Sequence, residues 1–285
     1  MSWIESIGMA INYIEDNITE ELTIESIAQQ AFVSPFYFQK GFAMLCGFTV
    51  SEYIRQRRLA LAANEIISTD NKIIDIAIKY GYDSPDSFTK AFTRFHGATP
   101  TAVRKEGAMI KSFASLKIKF SLEGGYIMDY KIIEKKAFTV MGISKIFTYE
   151  NAKTEIPKFW ADWIKTGNSN ILCGAYGISI DESMGSNEFE YLIADDYNSS
   201  VEIPDNFATK EIPKHTWAVF ACKGDASKSI QDVNHKIFSE WLPNCKEYEI
   251  AAGYNIELYT NAEDYPNGIS DENYYCEVWI PVRKK

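Results

Sequence analysis

The feature that most restricts this chain is a repeat. Ser34-Pro35-Phe36-Tyr37-Phe38-Gln39-Lys40-Gly41-Phe42 and Ser84-Pro85-Asp86-Ser87-Phe88-Thr89-Lys90-Ala91-Phe92 agree at Ser, Pro, Phe, Lys and Phe in register, 50 residues apart. In each copy Ser-Pro marks a helix start, because the serine oxygen accepts from the free N–H groups of the first turn and proline fits the first helical position. A short amphipathic stretch precedes each start, Thr23 to Ala31 in the first copy and Ile73 to Tyr80 in the second. Each copy therefore predicts two helices joined by a tight turn. Phe38 and Phe42, and likewise Phe88, Phe92 and Phe95, recur at the spacing of a buried helical stripe and are expected in the core. A helix from Ser2 to about Asn17, with Ile4, Ile7, Ile11 and Ile14 on one face, precedes the first unit, and Thr49 to Ile67 reads as one long helix between the two. Units about one DNA turn apart, roughly 34 Å, can enter two adjacent major grooves of double-stranded DNA from a single chain.

Charge divides the chain. Its 285 residues carry 29 basic and 39 acidic side chains, a net charge of −10 that argues against non-specific coating of nucleic acid or anionic membrane. A cut at residue 120 leaves 13 basic and 13 acidic residues before it and 16 and 26 after it. Arg55, Arg57, Arg58, Arg94 and Arg104 precede the cut and only Arg283 follows it. The guanidinium fork suits phosphates and guanine edges, so a polyanion is expected on the first part. The five cysteines are widely spaced, with no CxxC pair and no histidine at ligand spacing, so neither a disulfide framework nor a metal site is expected. The opening residues include Glu5, Glu15 and Asp16 and do not read as a signal peptide, and no run of about 18 apolar residues offers a membrane span. The expected compartment is the cytoplasm.

The stretch Ile76-Ala77-Ile78-Lys79-Tyr80-Gly81-Tyr82-Asp83-Ser84, followed by Phe88-Thr89-Lys90-Ala91-Phe92-Thr93-Arg94-Phe95-His96-Gly97-Ala98-Thr99-Pro100, resembles the signature of the AraC/XylS transcription regulators nearly position by position. The resemblance covers roughly residues 5–106 and implies an all-α double helix-turn-helix domain, here given the bounds 1–110. It puts Phe36, Gln39 and Lys40 on a first recognition helix that Ser34 starts, and Asp86, Ser87, Thr89 and Lys90 on a second, with Arg94 further along it. These are the expected DNA-binding residues. Gly41 and Ala43-Met44 depart from the family, which usually offers more polar residues there.

Residues 111–125, with Lys111, Lys117, Lys119 and the pair Gly124-Gly125, read as a linker. Beyond it, from 126 to 285, a second duplication appears. Ile133 to Val140 matches Ile212 to Val219 at offset 79, Lys158 to Ile164 matches Lys236 to Leu242 at offset 78, and Glu190 to Ile193 matches Glu277 to Ile280 at offset 87. Each copy reads strand, helix, then strands, an α+β unit used twice. Five of the six tryptophans and 12 of the 17 tyrosines lie in this half. In the last strand, alternation puts Tyr275, Glu277 and Trp279 on one face, a carboxylate between rings that suits a cation. Trp217-Ala218-Val219-Phe220, Trp241-Leu242-Pro243 and Glu277-Val278-Trp279-Ile280-Pro281-Val282 make this half similar to the GyrI-like small-molecule-binding domains. That resemblance implies an acidic residue of the last strand in the ligand pocket: Glu277, with Trp217, Tyr254, Tyr275 and Trp279 as walls.

The expected whole is a multidomain regulator that reads DNA with its first half and binds a lipophilic or cationic small-molecule effector with its second. RNA polymerase is a further expected partner. No cofactor and no catalytic residue is expected: His96, His215 and His235 have no evident nucleophile or carboxylate partner, and no phosphate-cradling loop is present. Two alternatives stay open here, a C-terminal half that meets a partner protein and one that hydrolyses a small molecule with a buried glutamate as general base.

Overall fold

The computed structural model describes residues 3–106, 108–118, 128–181, 187–200 and 203–285. Ser2 and, from the expected linker, Lys119 and the Gly124-Gly125 pair lie outside the described residues. The first half holds α1 (Trp3–Asp16), α2 (Ile24–Gln30), α3 (Pro35–Cys46), α4 (Val50–Ser68), α5 (Ile73–Lys79), α6 (Pro85–His96) and α7 (Pro100–Glu106). The 50-residue repeat governs the ends of these helices as well as their middles. Ser34 and Ser84 cap α3 and α6, accepting from the N–H groups of Tyr37 and Ser87. Gly47 and Gly97 close the same two helices in the left-handed conformation, at φ of 79° and 86°, which glycine adopts without a Cβ clash. Thr49 then opens α4 with a reciprocal cap to Glu52, and Thr99 accepts from Ala102 at the start of α7.

The two units differ in what they pack against. The second closes on itself: Leu59, Ala62, Ala63 and Ile66 from α4 meet Ile76, Ala77, Phe88, Phe92 and Val103 in a core of its own. In the first, Phe38, Phe42 and Tyr53 belong to a core that runs on without a break into Phe220, Phe238, Cys276, Val278 and Ile280 of the second half.

Among the described residues that second half forms one nine-stranded sheet with helices on one face. Its elements are β1 (Tyr130–Lys135), β2 (Phe138–Thr148), α8 (Ala152–Lys165), β3 (Tyr176–Ile180), β4 (Glu188–Asp196), β5 (Ala208–Ile212), β6 (His215–Lys223), α9 (Ala226–Lys236), β7 (Tyr248–Ile250), β8 (Tyr254–Tyr259) and β9 (Tyr275–Lys284). α9 continues into a π-helical turn, Ile237–Trp241. The order β1-β6-β9-β8-β3-β4-β2-β5 has an approximate twofold axis between β8 and β3, with β7 added outside it on β9. The repeats interlock: β1 pairs with β6 of the second copy, and β5 of the second copy pairs with β2 of the first. Neither copy has its full set of neighbours without the other.

A histidine ties the second unit to the segment that leaves it. His96 Nε2 lies 3.1 Å from the Leu59 carbonyl oxygen of α4, and its Nδ1 accepts from the Lys111 N–H at 3.1 Å. Both ring nitrogens are thus committed to the neutral imidazole, and burial holds the ring below its ordinary range even though the Leu59 carbonyl favours the charged form. A histidine with a lowered folded pKa takes up protons on unfolding, so its contribution is whole above about pH 6.5 and falls away as pH drops below that value. In denaturant unfolding, the stability difference between wild type and His96→Gln should shrink from pH 7 to pH 5; a constant difference would mean that the ring is not held neutral.

Candidate functional site

The recognition face of a helix-turn-helix unit is the side its core stripe leaves out. In α3 the stripe is Phe38 and Phe42, so the outward side is Phe36, Tyr37, Lys40 and Gly41; in α6 the stripe is Phe88 and Phe92, and the same places hold Asp86, Ser87, Lys90 and Ala91. On α6 this side meets solvent: Asp86, Ser87, Lys90 and Arg94 are exposed and Thr89 is half-buried. On α3 it does not. Phe36, Tyr37 and Gln39 are buried and Ser34 and Lys40 are partly covered, and over Phe36, Tyr37 and Lys40 the second half of the chain supplies cover. Phe36 packs 6.2 Å from the Tyr149 ring and 6.5 Å from Phe189, and Tyr37 lies 6.2 Å from Phe238 while its hydroxyl donates to the Tyr254 carbonyl. A Cβ at Gly41 would overlap the Trp3 ring and come within 2.9 Å of Phe238, so the bare glycine allows this approach. In this arrangement Phe36, Gln39 and Lys40 face protein, not groove.

The arginines of the first half also have other employment. Arg57 is bound to Glu15 at 2.6 Å and donates to the Phe113 carbonyl, and Arg58 donates to the carbonyls of Ile18 and Glu20. Arg104 donates to the Ile66 carbonyl. Of the arginines that suggested a polyanion, these three hold helices together.

Strand alternation assigns the aromatic residues of the second half to two sheet faces. Trp217, Tyr254 and Trp279 lie on the face away from the helices, in a core with Ile178, Leu192 and Ile256. Glu277 shares that face. It is 6% exposed and accepts from Lys131 at 3.0 Å, Tyr275 at 2.8 Å and Trp279 at 2.7 Å. Burial pushes this carboxyl up, but the three donors outweigh it and hold the group below its ordinary value. The first repeat contains the same pair: Glu190 is bound by Lys210 at 2.8 Å. A lysine–glutamate pair present in both copies belongs to the scaffold of the unit.

The helix face carries a different carboxylate. Asn255, Glu257 and Tyr259 project from β8 toward α8 and α9, at the centre of the sheet where the twofold axis falls. At the 78-residue offset of the helices, Tyr254 and Ile256 stand for Tyr176 and Ile178, but Glu257 stands for Ser179. This carboxylate has no counterpart in the other copy. It accepts from the hydroxyls of Tyr191 at 3.2 Å and Tyr259 at 2.9 Å. Burial first and Glu257 next push both phenols far up, so they stay protonated as donors. Trp160 of α8 closes one side, donating to Tyr191 at 3.0 Å with its ring 5.2 Å from Tyr259. Gly177, opposite Glu257 in the register, leaves the room that the Tyr191 hydroxyl fills. Into this cleft, between α8 and α9, comes Lys40 of α3, whose ammonium donates to Asn255 Oδ1 at 2.6 Å. Burial lowers the Lys40 pKa to about 8, and attraction to Glu257 only partly opposes the shift. The structure thus places a second carboxylate, Glu257, on the opposite face of the sheet from Glu277. A sequence signal at Glu257 is that a carboxylate stands where the first copy has the neutral Ser179.

Among the described residues no helix is long and apolar enough to cross a membrane, and no cluster of three or more His, Cys, Asp or Glu is placed to hold a metal. Residues 131–282, more than half of the chain, match the family of integron-associated effector binding proteins, Cass2, and residues 27–106 match a helix-turn-helix domain. Over 123 residues the chain is 35% identical to the uncharacterized HTH-type transcriptional regulator YbfP of Bacillus subtilis, covering 43% of this chain and 41% of that one. It thus spans less than half the length of YbfP. It is 38% identical over 104 residues to the regulatory protein SoxS of Salmonella typhimurium, covering 36% of this chain and 97% of SoxS. With the transcriptional regulator Rob of the same organism it shares 22% identity over 283 residues, 95% of this chain and 96% of Rob. The integron cassette protein of Vibrio cholerae superposes with a TM-score of 0.41 at 16% identity, covering 54% of this chain and 95% of its own. These relatives carry the names of regulators and an effector-binding family, not of enzymes. The chain belongs to the Cass2 family of effector-binding proteins, joined to an AraC/XylS-type helix-turn-helix domain, and has the architecture of a DNA-binding transcription regulator.

Proposed function

We propose that this regulator senses a small organic cation, that the cation binds between α8 and α9 over Glu257, and that DNA is read by the outward faces of the two recognition helices. The observation that carries the cleft assignment is Lys40: a cation supplied by the chain itself already lies among Asn255, Glu257 and the surrounding rings. Two phenol donors orient the carboxylate, and Trp160, Tyr191 and Tyr259 supply aromatic surface on which a cation gains roughly 0.5–2 kcal/mol per ring. On the DNA side, Ser87, Thr89, Lys90 and Arg94 offer donors along α6, with Asp86 as an acceptor at its start. Work beside DNA in a reducing cytoplasm suits five cysteines that stand as free thiols.

Two measurements test this reading. Tetraphenylphosphonium, a lipophilic monocation, should bind at least about tenfold more weakly to Glu257→Gln, since a desolvated counter-charge is worth more than 1.4 kcal/mol. Glu277→Gln should keep the affinity within about twofold and instead lower the unfolding midpoint, because it weakens the three hydrogen bonds that this buried carboxylate accepts. The reverse ranking would return the site to the other face of the sheet. For DNA, Lys90→Ala and Arg94→Ala should each flatten the log–log salt dependence of affinity by about 0.9 if they touch phosphate. Unchanged slopes in both variants would remove this face of α6 from the interface.

A further inference from the structure

Resting on the cleft reading just given, we propose that α3 is a built-in occupant of the effector site, with Lys40 as a tethered cation, and that an entering organic cation expels α3 and frees its face for a second major groove.

One helix face has two uses. Phe36, Tyr37, Lys40 and Gly41 occupy the places that Asp86, Ser87, Lys90 and Ala91 hold on the exposed side of α6. A face buried between α8 and α9 cannot also lie in a groove, so cleft occupancy and DNA contact by α3 exclude each other. The composition of the face fits the buried use. Phe36 and Tyr37 are aromatic where the second unit has Asp and Ser, and burying their rings stabilises the docked state. Glycine at 41 provides the closeness that Phe238 requires.

Lys40 makes that occupant displaceable. A lysine ammonium is a compact, strongly hydrated charge, and its dehydration in the cleft is only partly repaid by Glu257 and Asn255. An organic cation whose charge is spread over apolar surface loses less hydration on entering the same place. It therefore gains the same carboxylate and rings at lower cost, and the difference drives α3 out. Since the effector binds only the undocked form, its apparent affinity is reduced by the fraction of chains that are undocked. By linkage, DNA offering both grooves must tighten effector binding by the factor that effector tightens DNA binding.

The test uses the full chain and tetraphenylphosphonium. Phe36→Asp combined with Tyr37→Ser copies the residues that stand exposed at these places in the second unit. This variant should bind the probe at least about tenfold more tightly than wild type by calorimetry, and adding Glu257→Gln should remove the gain. Wild-type affinity in the double variant, with Glu257→Gln still weakening the wild type, would overturn the occupant while leaving the cleft standing. Failure of every form to bind the probe would defeat the cleft reading itself, and the occupant with it. Hydrogen exchange on the wild type gives an answer that does not depend on the variant folding. Saturating probe should speed exchange in residues 35–46 and leave 85–96 unchanged, whereas equal protection of α3 with and without probe would overturn the proposal.

Discussion

The aromatic side of α3 against the helix face of the sheet is the contact on which the rest of this structure depends. Phe36, Tyr37 and Gly41 join Tyr149, Phe189 and Phe238, and through them the core of the first helix-turn-helix unit becomes one body with the sheet. Hydrophobic burial has no direction, so a face that is apolar and close-fitting goes to whichever surface removes most of it from water. For α3 that surface is the cleft between α8 and α9. The second unit has no such face, closes its own core, and is joined to the first through α4. Two units of one design therefore stand in different states within one chain.

Two carboxylates on one sheet, Glu277 buried and Glu257 half-buried, stand in different surroundings. Glu277 has its oxygens taken by Lys131, Tyr275 and Trp279, and the pair recurs as Glu190 with Lys210 in the other copy. A symmetric pair of this kind fixes the outer strands β1 and β5 to the sheet. Glu257 sits where the twofold axis crosses the helix face, with neutral donors from Tyr191 and Tyr259. Phenols stabilise a carboxylate without cancelling its charge, which leaves it attractive to a cation; a lysine cancels it.

Much of this was legible beforehand because it is local. Helix starts at Ser34-Pro35 and Ser84-Pro85 need only a cap and a fixed φ, and each observed start follows its serine directly. Core phenylalanines follow from a 3.6-residue period; Phe38, Phe42, Phe88 and Phe92 are all buried, with Phe95 half-buried. Arginine counting misled, since Arg57, Arg58 and Arg104 serve carbonyls and Glu15 that lie 38 to 56 residues away in the chain. Which of Glu277 and Glu257 lies on the helix-covered face was equally non-local. Alternation correctly grouped Tyr275, Glu277 and Trp279, but which side of the sheet the helices cover is set by how the two copies interlock.

The sequence by itself determined the two duplications, which show when the chain is aligned with itself, and the helix caps, core stripes and outward positions of both recognition helices, which are relations between residues a few places apart. Tertiary structure decided that β1 and β5 exchange partners between copies, that the helices cover Glu257 and not Glu277, and that the outward side of α3 is closed while that of α6 is open. Those outcomes rest on contacts between residues as distant as Tyr37 and Tyr254. Such contacts are chosen by the total apolar area buried and the charges it must dehydrate, quantities that exist only once the whole chain has come together.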